Sequence, residues 1–497
     1  MATIKMRAME NCYLDSGRLR PSREGMRRAS NPVVWLPALL AAAAGVFSLN
    51  ARAAVTCESA RPTDAAGSAG VSYGSAKVSF YDAASGHARV HYALSGPHAP
   101  PSASTLEAGV PDAVVVAGQA AADALIKFNE LSYLPPLADG DSPCASNGDS
   151  DAVDIYLIHF AAADGQTVLD HCQDGAPKRC AGFVLVENDF KGGGYADVAE
   201  GMRTVVPHEL FHLVQDAYDA DVERWWAEGS AQWAAKQVYP ELKDLERFLP
   251  AYFKNPWRPL NVPPNGVITD FLYATAIWPV FLQQRFDASV VREIYEGFGQ
   301  GADGVLPTTD VVLQAHQSSL AQEFLQFAAY NATTGGRGTD TSGYPDGASY
   351  PVVPVKALDA TVDPLVSEVD SGLGAYYYSL KPDAPFKLEL DADPARMTGL
   401  LIPSVDGQLD LTAAEPLPAT VDGEATVVVA SQSLLRTDAP FALRAVAATA
   451  AGGGSAAGPE SSGCAIASAP RHNAAKGSAW LGFVVILLGR CRARRRP

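Results

Sequence analysis

Basic side chains are in short supply: 38 Lys and Arg face 55 Asp and Glu among 497 residues, a formal net charge of −17. The chain ends hide part of the deficit. Residues 1–53 carry 8 basic against 3 acidic side chains, and residues 465–497 carry 7 against none, so the body between them stands at −29. Such a body repels phosphate backbones and anionic lipid surfaces, which argues against a nucleic-acid partner and suits solubility outside a cell. Cysteine is sparse too, with seven in the chain and no zinc-ligand spacing among them. A G-x-S-x-G nucleophile turn, a phosphate loop and internal repeats are all missing, so serine-hydrolase, nucleotide-binding and solenoid readings find no support. Apolar residues are plentiful at 47%, with 18 Tyr, 18 Phe and 7 Trp. Wholesale disorder is excluded, and the length suits two or three domains.

Arg27-Arg28 precede an apolar run from Val33 to Leu49, followed by the small-x-small site Ala51-Arg52-Ala53. This predicts a secretory signal peptide over 1–53, with Met26 a natural start, and export from a bacterial cell. At the other end, a Gly/Ala/Ser linker over 449–463 leads to a tail over 464–497. The tail contains Gly463-Cys464 at its border, an apolar stretch Ala479–Gly489 and the cluster Arg490–Arg496. It resembles the MYXO-CTERM sorting tails of myxobacterial surface proteins, which implies sorting at Cys464 and membrane or cell-surface association. The apolar stretch is shorter than a full span. In an oxidising compartment, Cys57, Cys144, Cys172 and Cys180 remain once Cys12 and the tail are set aside. Cys172 and Cys180 flank a turn-rich loop and are expected to pair; Cys57 with Cys144 follows by elimination.

The most specific signal is His208-Glu209-Leu210-Phe211-His212 within a segment that reads as a helix. Residues four apart on a helix share a face, so both imidazoles can meet one ion while Glu209 lies beside it. Two histidines leave a catalytic zinc site one ligand short. Downstream comes Trp225-Trp226-Ala227-Glu228-Gly229-Ser230-Ala231. With both motifs in this order, roughly residues 150–330 resemble the gluzincin metallopeptidases of the peptidase-MA type. The resemblance implies His208, His212 and Glu228 as ligands of Zn2+ and Glu209 as general base. It also implies a peptide or protein substrate. Asp216 and Asp221 are rival third ligands, although a ligand from a second helix closes a tetrahedron better than one further along the same helix. The resemblance departs at Gln232, where thermolysin-like members carry an aspartate that orients a histidine, so the supporting contacts must differ. Tyr273 is the implied oxyanion-steadying candidate, with Tyr218 behind it and His316 more remote; a packing role for either tyrosine stays open.

The expected fold is α+β: a zincin-like domain of mixed sheet plus helices with a helical C-terminal subdomain, then a β-sandwich. Its parts are an N-terminal β/α portion over 54–150, a catalytic core and helical subdomain over 151–335, and the sandwich over 345–448. Alternation predicts a hairpin from Ala76–Tyr81 and Ala88–Tyr92, and strands at 154–158 and 182–186. By the resemblance, the last of these is the edge strand that a substrate joins, with an interior strand the alternative. Helical spacing covers 108–131, 271–286, 289–298 and 319–331, the last opened by Ser319 with Gln322 as a capping box. Short strands at 376–380, 386–390, 399–402, 425–430 and 442–446 make up the sandwich. The tryptophans near Glu228 read as core. The function this predicts is an exported zinc metallopeptidase. The alternative from another class is a non-catalytic surface or adhesion protein with a relic zinc site and a β-sandwich binding module.

Overall fold

The computed structural model describes residues 55–446, except 58–59, 65–66, 68–70, 139–147, 149, 162, 174, 263–269, 340–342, 371 and 433–437. The signal peptide, the linker, Cys464 and the tail therefore lie outside the described residues, as does the expected Cys57–Cys144 pairing.

The molecule is mixed α and β. Six strands come first: β1 (Val55–Cys57), β2 (Val78–Asp82), β3 (Ala88–Ala93), β4 (Val153–Ile158), β5 (Gly165–Gln173) and β6 (Cys180–Glu187). They form one sheet in the order β1-β5-β6-β4-β3-β2. β3, β4 and β6 run parallel, while the other pairings are antiparallel. Helix α1 (Asp112–Glu130) makes the crossover from β3 to β4, as a parallel connection requires. Of the two readings of strand 182–186, the interior one holds. Gly182–Val186 belongs to β6, which lies between β4 and β5 and is buried along its whole length. It is an interior strand, so the edge beside the site belongs to β5 instead. Alternation did not reveal β5, because polar Gln166, Thr167 and the buried Asp170 break its apolar pattern. Cys172 and Cys180 face each other across β5 and β6 and are bonded, as the sequence predicted.

Among the described residues, eight further helices follow: α2 (Val198–Asp216), α3 (Arg224–Val238), α4 (Asp244–Phe253), α5 (Asp270–Ala274), α6 (Ile277–Arg285), α7 (Ser289–Gly299), α8 (Val305–Ala315) and α9 (Leu320–Ala332). Helix α2 packs on β5 and β6. The approach is close: a Cβ on Gly182 would stand 2.9 Å from Leu213 Cδ2. The single helix expected over 271–286 is broken between α5 and α6. Pro279 has no N–H to offer Thr275 O, and the Thr275 hydroxyl turns to Trp225 O and Leu272 O at 2.7 and 2.6 Å. The Ser319 cap on α9 is present, its hydroxyl accepting from Gln322 N.

The remaining strands are β7 (Lys356–Ala357), β8 (Val366–Asp370), β9 (Ala375–Leu380), β10 (Phe386–Ala392), β11 (Met397–Val405), β12 (Gln408–Leu409), β13 (Glu415–Pro416), β14 (Ala419–Val421), β15 (Ala425–Ser431) and β16 (Ala439–Val446). One sheet runs β14-β10-β16-β8 and the other β12-β11-β15-β9-β7, with β13 beside β11. Tyr378, Leu401 and Val427 of one sheet share a core with Leu388, Val421 and Leu443 of the other. The opposite face of the larger sheet, through Ile402, Val428 and Ala430, joins the core of the helices. Among the described residues, no helix is long and apolar enough to cross a membrane.

Candidate metal centre

Helix α2 begins at Asp197, whose carboxylate accepts from Glu200 N at 2.8 Å, and it ends just beyond the second histidine of the motif. Its apolar residues Val206, Leu210, Phe211 and Leu213 are buried, which turns His208 and His212 toward α3. Helix α3 is anchored by Trp225, Trp226 and Trp233, all in the core as the sequence suggested, and it places Glu228 opposite the imidazoles. His208 Nε2 lies 3.2 Å from His212 Nε2 and 3.3 Å from Glu228 Oε2, and His212 Nε2 lies 3.6 Å from the same oxygen.

These three distances test whether the residues fit a metal. A tetrahedral ion with bonds of about 2.0–2.1 Å holds its ligand atoms about 3.3–3.4 Å apart. The observed triangle matches that spacing, and its donors are two imidazole nitrogens and a carboxylate oxygen, the set such ions take. His208, His212 and Glu228 can therefore hold a metal ion, and among the described residues no other cluster of this kind occurs. Asp216 and Asp221 are not part of it. Burial pushes the Asp216 carboxyl up to about 7, and Asp221 is exposed.

Electrostatics tie the group together even without an ion. Burial would raise the Glu228 carboxyl, but hydrogen bonds from His208 and His212 outweigh it and hold the group well below the usual carboxylate range. Burial would lower His212, yet the hydrogen bond and charge of Glu228, aided by Glu209, push it up to about 10. An arriving cation must therefore displace a proton from His212.

The support that Gln232 cannot give comes from Gln215, which sequence reasoning missed. Gln215 Oε1 accepts from His212 Nδ1 at 2.8 Å, while its Nε2 donates to Ala227 O at 2.8 Å and Ser230 Oγ at 3.1 Å. With the amide nitrogen satisfied by two acceptors, only the oxygen can face His212. The proton is thus held on Nδ1, and Nε2 is left as the metal-facing atom. Its place three residues after His212 was the available signal. Gln232 instead donates to Asp244 at 2.7 Å.

Glu209 is 1% exposed and lies on the sheet side of the ligands. Its Oε2 is 2.9 Å from Thr167 Oγ1, whose hydroxyl also stands 2.7 Å from Glu209 O. Its Oε1 is buried without a hydrogen-bond partner among the described residues. Burial raises this carboxyl, partly offset by the two histidines. Gly165 at the start of β5 makes the room: a Cβ there would lie 2.8 Å from Glu209 Oε1 and 2.5 Å from Val205 Cγ1. Tyr273 on α5 comes to the same place, its ring 5.8 Å from that of His208. Tyr218 does not; it packs against Tyr133 and Tyr295. His316 is also elsewhere, bonded to Glu293 at 2.7 Å. Beside His208 and Glu209 opens a cavity walled by Asp164, Tyr195, Asp244, Phe248 and Tyr273. Neither a protein-family model nor a curated protein matches the sequence.

Proposed function

We propose that this chain is an exported zinc-dependent metallopeptidase of the gluzincin type, in which His208, His212 and Glu228 bind zinc and Glu209 is the general base. The observation that carries the reading is the ligand triangle with the unpartnered oxygen of Glu209 beside it. Zinc held by His208, His212 and Glu228 would supply Lewis acidity, polarising a peptide carbonyl and acidifying water. The protein's own residues do the rest. Thr167 pins one carboxylate oxygen of Glu209, so the other is aimed and has no competing donor among the described residues. That oxygen takes the proton of the attacking water and returns it to the leaving amine. Burial brings the carboxyl's proton affinity closer to neutrality, which suits both transfers. Tyr273, which lines the same cavity with its ring 5.8 Å from that of His208, is read as the donor to the developing oxyanion.

Among the described residues, only β1 pairs with the outer edge of β5, at His171–Gln173. The stretch of β5 nearest Glu209 is thus the edge that an extended peptide joins by strand pairing. The paired sheets at 366–446 are read as the β-sandwich, and the tail as the cell-surface attachment. Glu209→Gln tests the reading: zinc stays at one per chain while hydrolysis of casein and of a peptide library disappears. One zinc per chain with no hydrolysis by the wild type favours the adhesion protein with a relic site, and an active Glu209→Gln protein removes Glu209 as base.

A further inference from the structure

The cavity beside the metal ligands has a chemistry that the hydrolytic reading does not use. Its walls are aromatic and aliphatic, from Tyr195, Phe248, Tyr273 and Val205, and it carries two carboxylates, Asp164 and Asp244. Asp164 Oδ2 accepts from Tyr195 OH at 3.1 Å, and its second oxygen has no hydrogen-bond partner among the described residues. Asp244 accepts from Gln232 Nε2 at 2.7 Å and from Arg247 Nη1 at 3.0 Å. Arg247 offsets part of this charge at Asp244; its guanidinium lies over the Tyr195 ring at 5.5 Å, and its side chain is 36% exposed. Away from the metal ligands, Asp164 and Asp244 thus face a single guanidinium, which is bonded to Asp244 alone. Burial raises both Asp164 and Asp244, so water alone does not fully satisfy them.

Flat rings along the sides and carboxylates at the polar end suit one kind of guest: an aliphatic stem that ends in a cation. We propose that this cavity receives a lysine or arginine side chain of the substrate, next to the bond being cut. The proposal rests on the peptidase reading and gives it a substrate class. The stem lies between Tyr195 and Phe248, and the ammonium or guanidinium takes the open oxygen of Asp164 with Asp244 behind it. Tyr195 is a positioning residue: its hydroxyl holds Asp164, and its ring covers the stem. It follows Gly192-Gly193-Gly194, where Gly192 and Gly194 have φ of +84° and +87°, so the chain can bring the ring over the cavity only through glycine.

Two measurements on the zinc-loaded protein test this. In the first, kcat/KM is compared for otherwise identical peptides bearing Lys, norleucine or Glu, each with a free and an acetylated amino terminus. A charge-assisted hydrogen bond in a partly buried site predicts about 10- to 100-fold preference for Lys over its uncharged isostere. The same preference is expected with either terminus. Asp164→Asn should bring the Lys-to-norleucine ratio down about tenfold or more, and Asp164→Lys should turn it toward Glu. A ratio unmoved by both variants, or equal cleavage of all three peptides, overturns the pocket. A preference that follows only the free terminus assigns the carboxylates to an α-amino group and equally overturns it. In the second measurement, the same peptides are titrated into Glu209→Gln protein and binding is read by fluorescence polarisation. If the wild type cuts nothing while Lys peptides still bind this variant more tightly in an Asp164-dependent way, the hydrolytic reading falls and the pocket stands. If binding is also indifferent to Lys, the pocket falls.

Discussion

Gln215→Leu isolates the contact that holds His212. The wild-type amide makes three short contacts: it accepts from His212 Nδ1 and donates to Ala227 O and Ser230 Oγ. Leucine has similar bulk and makes none of them. Loss of a partner to a metal-binding imidazole costs about 10- to 100-fold in metal affinity, or about 1.4–2.7 kcal/mol. A separate cost falls on the fold, because Ala227 O on α3 loses its donor from α2. That oxygen keeps Ser230 Oγ at 3.4 Å, so the loss is one net hydrogen bond, about 0.5–1.5 kcal/mol. Zinc affinity is measured by competition with a chromophoric chelator at pH 7.5, and stability by denaturant unfolding of chelated protein. Gln215→Glu separates the two effects. It still accepts from Nδ1–H but cannot donate to Ala227 O, so it should retain more zinc affinity than Gln215→Leu while losing stability. Wild-type zinc affinity in Gln215→Leu refutes the orienting role. Equal zinc loss in both variants shows that the link between α2 and α3 matters, not the bond to the imidazole.

Zinc loading at pH 7 should release about one proton per chain from His212, measured by calorimetry in buffers of different ionisation heat; no release contradicts the charged state of the metal-free site. In chelated protein, the folded His212 stands at about 10 against about 6.5 unfolded, so its stabilising effect is complete below about 6.5. It is lost as pH climbs toward 10, and Tm should fall over that window. Arg61→Ala removes a buried guanidinium from Asp154 and Asp170 and should cost about 3–5 kcal/mol in denaturant unfolding, a change below 1 kcal/mol arguing against the pairing. Cys172→Ser with Cys180→Ser opens a short loop and should cost about 2–3 kcal/mol, with β5 the first strand to gain hydrogen exchange.

The parts of this molecule legible in the sequence are those set by neighbours along the chain. The helix carrying His208 and His212, the helix carrying Glu228, the hairpin, α1, the Ser319 cap and the 172–180 disulfide all follow from local pattern. The rest depends on contacts between distant segments. β5 reads poorly because its inward face must carry Thr167 to meet Glu209, which breaks the apolar alternation. That same concealment made β6 pass for an edge. The break at Thr275 depends on α3, where a Cβ on Gly229 would come within 2.5 Å of the threonine hydroxyl. Gln215 offered no signal beyond its spacing, since a glutamine on a helix is ordinary until its partners are known.

The ligand set and the base are assembled by different ranges of contact. His208 and Glu228 are 20 residues apart on successive helices, whereas Glu209 is held by Thr167 of β5, 42 residues away. A nascent chain that has formed only the α2–α3 hairpin already owns the complete coordination set, and closing so small a loop is fast. Correct aim of the carboxylate waits for β5 to dock. Cation capture can therefore precede the correct aim of Glu209, and a partly folded copy binds an ion before the carboxylate beside it is in place.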